Sequence, residues 1–113
     1  MPATVSAPEL LAMLAMGHCV GDFGLQSDRM ATEKCPGKGV TLGWGWWLVA
    51  HAGIHGFLVG WITGLPLLGV AEWLVHSLID IGKCRHLYRL PMDQALHLLC
   101  KVVWVGVWIQ LQA

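Results

Sequence analysis

The residues best suited to chemistry form four pairs in which a metal-ligand type of side chain recurs at positions i and i+4. In an α-helix these two positions lie on one face, so both members of a pair can point at the same ligand. Imidazole and carboxylate groups are the side chains that proteins use to bind divalent metals. The pairs are His18 with Asp22, His51 with His55, His76 with Asp80, and Asp93 with His97.

The composition of the chain indicates a membrane environment for these pairs. Of its 113 residues, 56% are hydrophobic and 12% are charged, whereas a soluble domain carries about 25% charged residues. The pairs lie in long apolar segments, where an ionisable group is costly and is usually retained for function. We therefore predict a single integral-membrane domain over residues 1–113. A soluble four-helix bundle is the alternative.

Local signals place four helices that would position the pairs. Ser6 and Glu9 have capping-box spacing, which predicts the start of the first helix. Gly64 and Pro66 predict the end of the second. The sequence thus predicts an all-α, four-helix transmembrane bundle with up-down-up-down topology. We expect its helices over about 7–26, 44–63, 67–82 and 91–111.

The basic residues predict the orientation of this bundle. The first and third loops, with their flanks, hold Arg29, Lys34, Lys38, Lys83, Arg85 and Arg89. The positive-inside rule places these loops in the cytoplasm and both termini on the non-cytoplasmic side. Membrane lipids are the expected partners, and a homo-oligomer or a larger membrane complex remains open. The zero net charge, without basic and aromatic interleaving, argues against a nucleic-acid partner.

Depth within the bundle determines whether the four pairs can meet. Counted from the cytoplasmic helix ends at 1.5 Å per residue, all eight side chains lie about 3 to 17 Å below one surface. A mixed set of His and Asp suits a divalent transition metal, because Ca²⁺ and Mg²⁺ prefer oxygen ligands. We expect Zn²⁺, with Mn, Fe or Ni as alternatives, and one or two ions. Each pair alone could instead be an interhelical hydrogen-bonded clamp.

Two further charges lie deeper in the predicted membrane region. If the last two helices are antiparallel, Glu72 and Lys101 have the same depth. Each would otherwise be a lone charge in hydrocarbon, so we predict an intramembrane ion pair between them.

Other polar residues flank the expected site. Gln26 continues the face of the first pair, and Gln94 follows Asp93. Either could orient substrate or water, or could satisfy backbone groups at a helix end. Lys83, Arg85 and Arg89 could hold an anionic head group over the site, or could serve only as topology signals.

The cysteines lack the spacing of a metal or redox motif. No C-x-x-C pattern occurs among Cys19, Cys35, Cys84 and Cys100, so we expect ordinary thiols.

The chain also resembles a known family in the order of its four motifs. These motifs are H-x3-D, H-x3-H, H-x3-D and D-Q-x2-H, and they begin at His18, His51, His76 and Asp93. Over about residues 10–104, the chain resembles a family of short bacterial and phage membrane proteins of unknown function. It is more loosely similar, in its His and Asp on membrane helices, to the membrane-bound metal-dependent hydrolases. The resemblance implies the four-helix membrane fold, the His/Asp site and a bacterial inner membrane.

The leading interpretation is a metal-dependent hydrolase that acts near the cytoplasmic face on a lipid or lipid-linked phosphoester. A bound metal lowers the pKa of water to about 7 and polarises the phosphoryl oxygen. Asp80 or Asp93 would be the catalytic general base where it is not fully engaged as a ligand. The alternatives are a metal or proton carrier and a non-catalytic metal- or haem-binding accessory subunit.

Overall fold

The computed structural model describes residues 5–112, so residues 1–4 and 113 of the predicted domain lie outside the described part. The described chain is helical and contains no strand, which confirms the predicted all-α class. Its helices are α1 (Ala7–Cys19), α2 (Asp28–Glu33), α3 (Trp44–Thr63), α4 (Pro66–Cys84) and α5 (Leu90–Gln112), with a π-helical turn at Val20–Gly24 after α1.

Local sequence signals set the ends of the long helices. The Ser6 hydroxyl accepts the backbone N–H of Glu9, and the Glu9 side chain reaches back to the N–H of Ser6, which completes the capping box. Gly64 ends α3 with a left-handed φ of 73°, a conformation that glycine adopts without steric cost. Pro66 then begins α4 at a position that needs no donor.

The first predicted helix, 7–26, is wrong beyond Cys19. At Val20–Gly24 the backbone widens into a π-helical turn, in which the N–H of Leu25 donates to the carbonyl of Val20 at 2.8 Å. Gly21 and Gly24 weaken the α-helical preference of this segment. The turn matters because it carries Asp22, and π-helical turns occur frequently at functional sites.

The four long helices form a closed bundle in which α1 and α4 each pack against both α3 and α5. At the end remote from the basic loops, apolar side chains from all four helices fill the interior. This core comprises Leu10, Leu14, Val59, Ile62, Leu68, Trp104, Val105 and Trp108. At the other end the interior is polar, and it holds the predicted His and Asp residues.

The expectation of four membrane-crossing helices is not supported by helix length and composition. Among the described helices, α5 alone is long and apolar enough to cross a bilayer by these two properties. The α1 helix has only 13 residues, and α4 carries Glu72, Asp80 and Lys83 along its length.

The first basic loop is more ordered than the sequence predicts, because it contains α2. Glu33, at the end of α2, accepts the backbone N–H groups of Val40 and Thr41 at 2.7 Å each. Its carboxylate also accepts the indole N–H of Trp47 in α3 at 3.3 Å. Burial raises the pKa of Glu33, but these hydrogen bonds outweigh burial and lower the pKa to about 2.

The prediction that all four cysteines are thiols is wrong for two of them. Cys35 in the first basic loop and Cys84 at the end of α4 form a disulfide, with 5.4 Å between their Cα atoms. The 49-residue separation of the pair hides it from any local motif. Cys19 and Cys100 are free thiols.

We expect the hydrogen bonds that the Glu33 carboxylate accepts to persist at mildly acidic pH. Because the folded pKa of about 2 lies below the ordinary value of 4.5, the anchoring contribution is present above pH 4.5 and is lost as the pH falls through about 2. The indole N–H resonance of Trp47, followed by NMR in detergent, should therefore shift with a midpoint near 2. The exposed Trp46 is the control. A Trp47 midpoint near 4.5 would contradict this assignment.

Candidate metal centre

The carboxylate of Asp22 lies at the centre of a cluster of imidazoles. Its Oδ1 is 2.9 Å from Nε2 of His55, 3.3 Å from Nε2 of His51 and 3.8 Å from Nε2 of His76. All four side chains are buried. Their ligand atoms lie within 4.8 Å of one another, so three nitrogens and one oxygen converge on one point. Three imidazoles and one carboxylate can fill a tetrahedral zinc shell.

The protonation chemistry of the cluster fits a bound cation. The Nε2 atoms of His51 and His76 are 3.2 Å apart, so they cannot both carry a proton without clashing. Oδ1 of Asp22 and Nε2 of His55 are buried without a well-aligned hydrogen bond. Buried polar atoms in native proteins are nearly all satisfied, and a metal would satisfy several of these atoms together.

Glu72 orients one of the imidazoles. Its Oε2 lies 3.1 Å from Nδ1 of His76, so the Nδ1 proton is held there and the Nε2 lone pair faces the cluster. The other carboxylate oxygen, Oε1, accepts from the Lys101 ammonium and, at 3.0 Å, from the indole of Trp104. The structure thus brings Glu72 and Lys101 together as a buried ion pair that supports His76.

His97 connects α5 to the cluster. Its Nε2 is 3.1 Å from Oδ1 of Asp80 and 3.4 Å from Oδ1 of Asp93. Its ring stacks on that of His76, with 4.0 Å between centroids. Two further sets of converging ligand atoms result, which share members with the first: His18 with His76 and His97, and Asp22 with Asp93 and His97.

Gln94 joins three of the predicted site residues. Its amide nitrogen donates to Oδ2 of Asp22 at 2.8 Å and to Oδ2 of Asp93 at 3.1 Å. Its amide oxygen lies 2.8 Å from Nε2 of His18. Gln26 differs, because its side chain donates to the backbone carbonyl of Asp22 at 3.0 Å and so serves the backbone of the π-helical turn.

The basic residues lie around a cleft of about 820 Å³ that reaches Asp80. Lys83 and Arg89 line the cleft, together with Lys34 and Lys38 of the first loop, whereas Arg85 is not among its lining residues. The predicted substrate-holding set Lys83, Arg85 and Arg89 therefore meets at this cleft only in part.

Lys34 is the residue of this site that the sequence did not identify. Its ammonium lies 3.0 Å from Oδ2 of Asp80, and its side chain is only 12% exposed. The sequence offers no periodic signal for this contact, because 46 residues separate the partners and Lys34 belongs to a loop.

Comparison with known proteins gives one family match. Residues 10–113 match the model of a family described as "Protein of unknown function (DUF3307)". No curated protein and no solved structure matches the chain.

Substituting Gly21 should damage the candidate metal centre. A Cβ on Gly21 would lie 2.5 Å from Cε1 and 2.6 Å from Nε2 of His55, so Gly21→Ala must displace this ring from Asp22. We expect Zn²⁺ affinity, measured by competition with a chelating dye, to fall about 10- to 100-fold. Gly24→Ala is the matched control, since no heavy atom lies within 4 Å of its added Cβ. Equal affinities in the two variants would refute this placement of His55.

Breaking the buried ion pair should destabilise the protein. Lys101→Met leaves the Glu72 carboxylate uncompensated, which costs about 3–5 kcal/mol at such sites. The free energy of unfolding in detergent should fall accordingly. Adding Glu72→Gln to Lys101→Met removes the unpaired charge and should recover part of the loss. A Lys101→Met protein as stable as the native one would show that the pair is dispensable.

Proposed function

We propose that this chain, which belongs to the DUF3307 family of proteins of unknown function, is a membrane-embedded, metal-dependent hydrolase of a lipid or lipid-linked phosphoester. The observation that carries the proposal is the convergence of three imidazoles on one carboxylate oxygen of Asp22 inside the bundle.

The distribution of polarity supports a membrane location. Most ionisable side chains of the four long helices are buried, while large apolar side chains on all four are exposed. The exposed fraction is 55% for Met16 in α1, 67% for Trp61 in α3, 68% for Leu78 in α4 and 57% for Leu99 in α5. A water-soluble bundle has the opposite arrangement, and exposed apolar patches of this kind mark contact with lipid or protein.

The overall length of the described chain is compatible with a bundle that spans a bilayer. The bundle is 46 Å long, close to the roughly 40–45 Å of a bilayer with its head groups. Hydropathy averaged along α3 and α4 counts His51, Glu72 and Asp80, but these side chains are buried in the bundle and do not meet lipid. Sequence averages therefore underestimate the apolar character of the outer surface.

The side chains around the cluster have distinct roles in the proposed reaction. A metal held by Asp22, His51, His55 and His76 would polarise the phosphoryl oxygen and acidify water. Asp93 suits a general base because its Oδ1 is buried without a well-aligned hydrogen bond, while Gln94 holds its Oδ2. Asp80 is more fully engaged by His97 and Lys34.

The cationic cleft supports an anionic substrate. Among the described residues, Lys38, Lys83 and Arg89 have no carboxylate within 4 Å, so the rim carries uncompensated positive charge. Such a rim attracts a phosphate, and the exposed apolar helices beside it would accommodate acyl chains.

Carriage of an ion across the membrane has less support. Beyond Glu72 and Lys101 the interior is filled by the apolar core described above, which leaves no chain of ionisable groups toward the far end of the described bundle. A proton or metal path needs such groups.

Haem binding also has less support. The rings of His55 and His76 stack with 3.8 Å between centroids, and their separation leaves no space for a macrocycle between them.

Metal content tests the centre itself. Protein purified in detergent without chelators should contain one or two equivalents of Zn²⁺ or another transition metal by elemental analysis. His55→Ala/His76→Ala should lose the metal, and His86→Ala, in an exposed loop, should keep it. Equal metal content in the two variants would contradict the proposed metal centre.

Turnover tests the hydrolase. The metal-loaded protein, incubated with a panel of phospholipids and lipid-linked phosphoesters, should release phosphate or a phosphorylated head group. Asp93→Asn should reduce the rate about 10²- to 10⁴-fold, in the range of a lost general base, with metal retained. Stoichiometric metal without turnover on any substrate would leave a binding protein rather than an enzyme.

A further inference from the structure

Lys34 is placed where a cation bound at the metal centre would meet it. Its ammonium is 3.0 Å from Oδ2 of Asp80, and the same oxygen is 3.3 Å from Nε2 of His51 and 3.5 Å from Nε2 of His76. The ammonium therefore neutralises a carboxylate that directly faces two candidate metal ligands. A divalent ion in this cluster would be repelled by the adjacent positive charge.

A covalent bond holds Lys34 in this place. The next residue, Cys35, is disulfide-bonded to Cys84, which follows Asp80 by four residues in α4. The disulfide thus ties the loop that carries the lysine to the helix turn that carries the carboxylate. Both cysteines line the cleft and are half-buried, so small reagents can reach them.

The remainder of the loop has separate anchors. Ser27 caps α2 by accepting the N–H of Met30 at 3.1 Å, and Glu33 fastens the segment to Val40, Thr41 and Trp47. Opening the disulfide would therefore remove the covalent link at Cys35 and let the Lys34 side chain move, while the Lys34 backbone N–H stays bonded to the Met30 carbonyl at 3.1 Å.

We infer that Lys34 is an internal cation that opposes metal binding by neutralising the Asp80 carboxylate beside the centre, and that the Cys35–Cys84 disulfide holds the lysine there. With the pair as dithiol, the lysine can withdraw into the cleft and the centre binds metal more tightly. With the disulfide formed, metal binding is weaker. This inference rests on the proposed metal centre and adds redox control to it.

The redox step balances with a low-molecular-weight disulfide as oxidant. The two cysteine thiols give two electrons to the reagent, one S–S bond forms between Cys35 and Cys84, and the S–S bond of the reagent breaks. The two protons leave on the two thiols of the reduced reagent. Thiols on a cytoplasmic face are normally kept reduced, so the tight-binding form would be the resting form and oxidation would weaken it.

The test compares two thiol-free proteins, so that no cysteine can bind Zn²⁺ itself. One is Cys19→Ser/Cys100→Ser, which retains the disulfide, and alkylation with mass analysis verifies the bond. The other adds Cys35→Ser and Cys84→Ser. We expect the second to bind Zn²⁺ about tenfold more tightly by dye competition, a typical coupling between two sites. The difference should disappear when both proteins carry Lys34→Met, and it should persist with the control Lys38→Met.

The outcomes separate the inference from the proposed function. Equal Zn²⁺ affinity with and without the disulfide, or a difference that survives Lys34→Met, overturns the inference and leaves the metal centre intact. Failure to find a disulfide in the first protein under oxidised glutathione overturns it as well. No Zn²⁺ binding by any of the proteins overturns the metal centre and the inference together.

Discussion

Compensation of buried charge is the constraint on which this structure depends. Four carboxylates, Asp22, Glu72, Asp80 and Asp93, lie inside the bundle with two ammonium groups, Lys34 and Lys101. The five buried imidazoles must be neutral to act as metal ligands. With Lys34 at Asp80, two negative charges then remain in excess, and one divalent cation would neutralise them; with Lys34 withdrawn, the excess is three. The internal ion pairs therefore leave uncompensated negative charge in the polar interior, which a bound metal would offset.

The apolar core and the cluster of ionisable side chains lie at different ends of the bundle. Its far end has an apolar core with Trp104 and Trp108, which holds the helices together without polar groups. The Glu72 and Lys101 pair lies at the boundary, where it both neutralises buried charge and orients His76. An isolated buried ion pair adds little stability. Here, the pair also positions His76, because Glu72 contacts Nδ1 of that ring.

Features set by neighbouring residues could be predicted from the sequence, and those set by tertiary contacts could not. The bounds of α3 follow from Gly64, and the convergence of the i and i+4 pairs follows from helical geometry and depth. The π-helical turn at Val20–Gly24 brings Gly21 close to the ring of His55, a tertiary contact for which the sequence carries no local signal. Lys34 and the Cys35–Cys84 bond join segments 46 and 49 residues apart, where no periodicity applies.

The same constraint gives a reason for the stacked imidazoles. His76 lies between His55 and His97, with centroids 3.8 Å and 4.0 Å away, so any protonation in the stack places charge against neighbouring rings. A bound metal would place one fixed positive charge beside these rings, and its binding free energy would become part of the folding free energy. Metal binding would therefore be coupled to the stability of the polar half of the bundle, and a cation that neutralises Asp80 beside the centre would act on both.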